Sequence, residues 1–310
     1  MLADERAAGR GVKAVVLHDA EDVVHPLELQ LYDRMIEHFA LVQIPVLPLP
    51  AQGRGIAARI VAATYADEFS EGHGRQLIVR EALGASVPSA GVGCAIARDM
   101  LACVAGHNGG NPFDEGSLTE DYELGLRIAQ HGGRGAFVSI PAREGGAPVA
   151  VRAQFPETFD AACRQKARWV TGIALAGWDR LRWRGGLAER WMRFRDRRAL
   201  LAAVVLSAGY AAALLDFSCW LFGIGVRHAS PLADLLRINA ALLCWRLLSR
   251  IFVVGRFYGS AAGWWSVPRV IVSNLIAIVS AFRALGQYRP GRVAHWDKTA
   301  HIFPESLPCD

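Results

Sequence analysis

The chain has 310 residues, enough for one sizeable core plus an appendage. Hydrophobic residues make up 52% and the mean hydropathy is +0.21, too apolar for an ordinary soluble domain and indicative of a membrane part. The net charge of +5 suits nucleic acid, acidic lipid or a phosphorylated substrate, but much of the basic excess lies beside apolar segments, which argues against nucleic acid.

The charged N-terminal residues lack the apolar core of a secretory signal. The cysteines (Cys94, Cys103, Cys163, Cys219, Cys244 and Cys309) form no C-x-x-C pair and read as scattered small apolar residues, not as a disulfide frame or zinc site. Val12 to Leu17 is a β-branched run that predicts a buried strand. It runs into His18-Asp19-Ala20-Glu21-Asp22. Acidic residues at the C-terminal end of a strand stand where open α/β sheets bind ligands. Three carboxylates in four positions repel one another unless a cation neutralises them, and a divalent cation with oxygen ligands fits. The plainer reading is a polar turn that Asp22 caps.

Pro26 to Phe39 predicts a helix, with Pro in its first turn. Leu41 to Leu49, broken by Pro45 and Pro48, predicts an edge strand or extended segment. Residues 53–60 read as a mobile loop; 62–69 and 76–83 read as helices. Pro88 to Gly93 is a small-residue turn of the kind that lets backbone approach a ligand, Gly93 being its last residue. A short strand over 94–97 follows. Ser117 to Arg127 (SLTEDYELGLR) opens a helix, with Thr119 as N-cap and Glu120 and Asp121 in the first turn, where the helix dipole favours carboxylates. Gly132 is the expected stop. Strands are expected over 136–140 and 149–153.

Phe159 to Trp178 predicts one long helix, on which Gln165, Arg168 and Trp169 share a face. Arg offers a donor fork for phosphate, and Trp a flat apolar surface for a sugar ring. Residues 180–198 are strongly basic with Trp interleaved, as at a membrane–water boundary. Residues 199–226 are long and apolar enough to span a bilayer, Asp216 being the exception. Residues 235–255 are a second candidate span, carrying Arg237, Arg246 and Arg250. In 268–285 a polar stripe of Arg269, Ser273, Ser280 and Arg283 runs at helical spacing, which predicts an interfacial amphipathic helix. Two spans then leave the C-terminus cytoplasmic, beside Arg289, Arg292 and Lys298.

Taken in order, HDAED and the HPLEL after it, Tyr65, Asp67, Glu68 and Phe69, then SAGVG, SLTEDYELGLR, Gln165-x-x-Arg168-Trp169 and a late WDKT run resemble the family-two, cellulose-synthase-like membrane glycosyltransferases. Within them the sequence is similar to the bacteriophage adsorption protein B subgroup, over nearly the whole chain. The resemblance implies an α/β GT-A (Rossmann-like) catalytic domain, here partial, over residues 1–178. A basic interfacial linker (179–198), a membrane region (199–287) and a cytoplasmic tail (288–310) follow. The implied location is the bacterial inner membrane, with the catalytic part cytoplasmic.

It further implies a divalent cation, Mg2+ or Mn2+, at Asp19, Glu21 and Asp22, and Asp121 as catalytic base. Substrate would meet Glu120, Gln165, Arg168, Trp169 and Gly93. A nucleotide-sugar donor and a glycan acceptor are the implied partners. The alternative is a non-catalytic membrane receptor or scaffold that keeps the fold and serves phage adsorption or export, with an outer-membrane or export partner protein. The motif here is D-A-E-D where the family has D-x-D. The family's opening strand–helix region with its own Asp has no counterpart before residue 12. The chain is therefore expected to be the latter part of such an enzyme.

Overall fold

A computed structural model describes residues 5, 7–53, 55–224 and 230–288. The WDKT run, Cys309 and the basic residues from Arg289 onward lie outside the described residues. The central layer is a four-stranded mixed sheet of β1 (Ala14–Leu17), β2 (Leu41–Gln43), β4 (Cys94–Ala97) and β5 (Gly135–Phe137), in the order β1-β4-β2-β5. β4 runs antiparallel to both neighbours, with Leu17 and Gln43 each opposite Cys94; β2 and β5 are parallel. β3 (Val46–Pro48) pairs in parallel with β6 (Val151–Ala153) as a second, two-stranded sheet.

Two sequence expectations are corrected here. The Leu41–Leu49 segment is not an edge strand: Pro45 divides it, its first half lies inside the main sheet, and its second half starts the small one. Proline cannot donate to a ladder, so the chain changes sheets where the donor is missing. β1 is the edge strand instead, and its residues are only half-buried.

Helices cover the sheet. α1 (Glu28–Met35) buries Leu31 and Tyr32 against Val42, Ile44 and Ala95. α4 (Arg98–His107) and α5 (Glu120–Gln130) cover another part, with Leu101, Val104, Leu124 and Ile128 on Leu41, Cys94 and Ile96. α2 (Ile56–Glu71) begins within the expected loop. It continues through a π-helical turn (Gly72–Gln76) into α3 (Leu77–Ala82). The expected long helix is α6 (Phe159–Val170), a π-helical turn (Thr171–Ala176) and α7 (Gly177–Leu181). Wide π turns of this kind collect at functional sites.

α8 (Leu187–Arg197) carries part of the basic linker. Its charges are not all at a boundary: Arg193 is buried and donates to the carbonyls of Leu181 and Arg182. Arg197 stacks on Trp178 and Trp183, at 5.3 and 4.7 Å from the ring centroids. Three helices are long and apolar enough to cross a membrane: α9 (Ala199–Leu221), α10 (Ser230–Tyr258) and α11 (Ser260–Gln287).

The polar stripe of α11 faces the α/β domain. Ser266, Ile276, Ser280, Ala281 and Ala284 are buried. Arg269 grips Asp67 on α2 with two bonds of 2.6 and 2.8 Å, and Arg283 reaches Asp160 on α6 at 3.4 Å. The end of α10 joins the same clamp, Arg250 lying 3.2 Å from Asp67 and 2.7 Å from Glu71. Tyr65, from the same YADEF segment, packs on Phe155 and Trp169. That segment thus holds the helices to the domain.

Candidate active site

β1 ends, β2 ends and β4 begins on one side of the sheet, because β4 is antiparallel to both neighbours. A cleft of about 700 Å3 opens there. Leu17, His18 and Asp19 reach it from the end of β1, and Pro88 to Val92 from the loop before β4. Leu118 to Tyr122 come from the start of α5, and Arg168, Trp169 and Ile173 from α6 and its π turn. The first π turn contributes Gly72, His73 and Gln76; α8 and the residue after it contribute Arg195, Asp196 and Arg198.

The Asp121 end of α5 is fixed from three sides. Gly125 lies against the loop backbone: a Cβ there would sit 2.5 Å from the Ser89 nitrogen and 2.7 Å from the Val87 oxygen, so only glycine lets α5 approach so closely. Tyr122 donates from its hydroxyl to Asp196 at 2.6 Å, and Arg80 donates to the same carboxylate at 2.7 Å. Buried Glu123 accepts from Ser117 (2.7 Å) and from Arg180 Nε (2.8 Å). The expected Thr119 cap is not made: its side chain accepts no bond from the first turn and packs instead against Gly172 of the π turn. Helix α5 does begin at Glu120, and Gly132 (φ +83°) follows its end as expected.

Asp121 lies in the cleft wall. Its Oδ1 accepts from the Tyr122 N–H at 2.7 Å. Burial raises its pKa to about 6; that bond and the charge of Arg168 pull it down, and Glu120 pushes it up. At neutral pH the group is mostly ionised, with a higher proton affinity than an exposed aspartate. That is the condition a general base needs near pH 7.

The loop behind Asp121 is braced by Gln43, which sequence reasoning passed over. This fully buried side chain donates to the carbonyls of Ile44, Val92 and Gly93 at 2.9–3.0 Å, and its Oε1 accepts from Ala90 N–H at 2.8 Å. The visible signal was a polar residue inside an apolar strand, which is buried only when its bonds are satisfied. His73 was also passed over. Its Nδ1 accepts from Val46 N–H at 2.9 Å, and burial pushes its pKa down to about 4, so it is a neutral ring at the cleft wall.

The expected site residues divide into two groups. Asp19, Glu120, Asp121, Arg168 and Trp169 meet in the cleft, although up to 150 residues separate them in sequence. Trp169 presents its ring beside Phe69 (6.4 Å) and Tyr65 (6.2 Å). Glu21, Asp22, Gln165 and Gly93 do not line the cleft. Asp22 is occupied elsewhere: its side chain is 1% exposed, accepts from Asp19 N–H at 2.9 Å and lies 3.6 Å from His18 Nδ1. The capping reading of Asp22 therefore holds. His18 also meets Glu28 at 2.7 Å, and these two carboxylates lift its pKa to about 9. Gly93 (φ +60°) is a packing position, where a Cβ would meet Val151 at 2.7 Å; Gly91 is the loop glycine against Asp121. The Gln165 Oε1 is buried with no hydrogen-bond partner among the described residues.

Residues 14–253 match the family model described as Glycosyl transferase family group 2. The chain belongs to that family. A family-two glycosyltransferase domain thus occupies the α/β part, followed by the three apolar helices. The chain is also 36% identical, over 97% of its length, to Bacteriophage adsorption protein B of Escherichia coli (strain K12). The same identity and coverage hold for Bacteriophage N4 adsorption protein B of Escherichia coli O157:H7. The chain spans 44% of the length of each of these curated relatives.

Proposed function

We propose that this domain is the catalytic part of an inverting membrane glycosyltransferase, moving a hexosyl group from a nucleotide sugar to a glycan acceptor. The observation that carries the reading is the meeting of Asp19, Asp121, Arg168 and Trp169 in one cleft, with the Asp121 pKa lifted to about 6. Asp121 takes the proton of the acceptor hydroxyl. The hydroxyl oxygen attacks the anomeric carbon as the bond to the leaving diphosphate breaks, so one displacement inverts that centre. Arg168 pairs with the diphosphate charge, and Trp169 is the platform for the sugar.

The donor chemistry at the end of β1 fits a hard cation in part. Asp19 is exposed at the cleft, whereas the Asp22 carboxylate is turned inward. Asp19, with Glu21 beside it, would hold Mg2+ or Mn2+, which when bound supplies Lewis-acid stabilisation to the leaving diphosphate.

The helices support a membrane position with the catalytic domain on the cytoplasmic face of the bacterial inner membrane. α9 and the exposed first part of α10 are the proposed spans. α11 is read as interfacial, because its Arg269, Ser280 and Arg283 face lies along α2 and α6 of the catalytic domain.

The test is transfer from nucleotide sugars by the protein in proteoliposomes with Mg2+ or Mn2+. Transfer abolished by Asp121→Asn supports the reading, and an Asp121→Asn variant as active as the parent removes the assigned base. The names of the relatives favour a second reading, a scaffold serving phage adsorption. Absence of metal-dependent nucleotide-sugar binding by calorimetry, with phage adsorption intact, would select it.

A further inference from the structure

A second cluster of chemistry lies at the other end of α5 from Asp121. Cys103 and His107 stand four residues apart on α4, one helical turn, and so share a face. His131 is the C-cap of α5. One ligand-forming atom from each of the three lies within 4.8 Å of the other two. The two imidazoles are 4.3 Å apart, centroid to centroid, tilted by 33°. His107 Nδ1 lies 2.9 Å from the Cys103 carbonyl oxygen. When that nitrogen carries the ring proton it donates to the carbonyl and leaves the Nε2 lone pair outward. A backbone carbonyl orients metal-binding histidines in this way.

The electrostatics agree with a cation. His107 ends α4 and His131 caps α5, so the negative ends of two helix dipoles converge on the cluster. The nearest positive charge, Arg127, is drawn away by Asp114 at 3.0 Å and Glu123 at 3.5 Å. Burial, then the neighbouring His107 and Arg127, lower the His131 pKa, which favours its neutral form.

We propose that Cys103, His107 and His131 form a binding site for a borderline-soft divalent transition cation of the Zn2+ type, joining α4 to the end of the helix that carries Asp121. Two imidazoles and a thiolate are three ligands of a tetrahedral zinc site, with water completing it; Cys103 releases its thiol proton to solvent on binding. The donor set separates this site from the carboxylates at Asp19, since nitrogen and sulfur ligands select Zn2+ and carboxylates suit Mg2+ or Mn2+. Reading the cysteines by C-x-x-C spacing missed it, because the ligands are Cys-x-x-x-His on one helix and a histidine on the next.

The test uses the full chain in detergent micelles. Co2+ is the spectroscopic probe and Zn2+ the calorimetric one. One equivalent of Co2+ should give a thiolate-to-cobalt absorption band that Zn2+ displaces, and Zn2+ should raise the melting temperature. Cys103→Ser should remove the band. His107→Ala and His131→Ala should each weaken Zn2+ binding by about tenfold or more, and Asp19→Asn should leave it unchanged. Circular dichroism matched to the parent shows that each variant is folded. Absence of the band, its persistence in Cys103→Ser, or Zn2+ affinity unchanged in both histidine variants would overturn the proposal.

Discussion

Asp67 and Asp121 are both held away from bulk water, one between α2 and the apolar helices, the other in the cleft wall. Asp67 is gripped by both arms of Arg269 at 2.6 and 2.8 Å and approached by Arg250 at 3.2 Å. Asp121 receives one backbone N–H, feels Arg168 across the cleft, and is pushed to a pKa of about 6 by burial. A carboxylate between two guanidiniums is committed to pairing and can only hold things together. A carboxylate left under-neutralised retains affinity for a proton. The degree of neutralisation, more than burial, separates the clamp from the candidate base.

The sharpest way to break this comparison is to remove each charge without changing its shape. Asp121→Asn should lower transfer by about 10²- to 10⁴-fold, the usual contribution of a general base, while the fold persists. Asp67→Asn should do the reverse. Two buried arginines lose their shared partner, so the protein should lose about 3–5 kcal/mol of stability, as when one member of a buried charge group is removed. Transfer per folded molecule should stay at the parental level. Initial rates and urea denaturation of both variants are the measurements. An Asp67→Asn protein that is stable and inactive would reverse the two roles.

A smaller effect follows from the same raised pKa. In the unfolded chain Asp121 titrates near 3.8; in the folded protein it does so at about 6. A raised folded pKa means that stability from the protonated form is fully present below pH 3.8 and is lost as pH rises through 6. Above that, the ionised carboxylate is a standing cost of up to about 3 kcal/mol. Asp121→Asn removes the cost. The variant should therefore melt higher than the parent at pH 7.5, with the gap narrowing as the pH approaches 4. Equal melting temperatures across that range would mean that the cleft carboxylate is better solvated than its position suggests.

The sequence showed which segments matter more clearly than which side chains do. The TED turn was legible because its dipole argument is local: α5 begins at Glu120, and the two carboxylates sit in its first turn. Arg168 and Trp169 were legible because helical periodicity puts them on one face. Asp22 and Gly93 were misplaced for a common reason. Proximity in sequence to a site residue does not fix direction, and the turn after β1 points Asp19 outward while folding Asp22 back onto His18. Gln43 and the Asp67–Arg250–Arg269 clamp depend on partners 47 to 202 residues away, which no local pattern reports. The π turns were invisible because their extra residue leaves no compositional mark.

The pH profile tests the base more gently than a substitution. With a general base titrating near 6, the transfer rate should be flat above about pH 7 and fall roughly tenfold per unit well below 6, as the protonated fraction grows. Asp121→Asn should flatten whatever residual profile remains. A parental rate with no acid limb between pH 5 and 7 would count against Asp121 as the proton acceptor.

The least disruptive change acts through the loop. Gly91 has φ +79°, and a Cβ there would sit 2.6 Å from Asp121 Oδ2 and 3.2 Å from its Cγ. Gly91→Ala should cost about 1–2 kcal/mol of stability for placing a side chain in the left-handed region. Its contact is with the movable end of a side chain, so the fold can absorb it by rotating the Asp121 carboxylate. That rotation is the useful consequence. It should lower kcat while leaving donor KM near the parental value, because Arg168 and Trp169 lie on a different helix and keep their places. A matching loss in donor affinity alone, with kcat intact, would assign this loop to donor binding and leave Asp121's position in the cleft without a catalytic consequence.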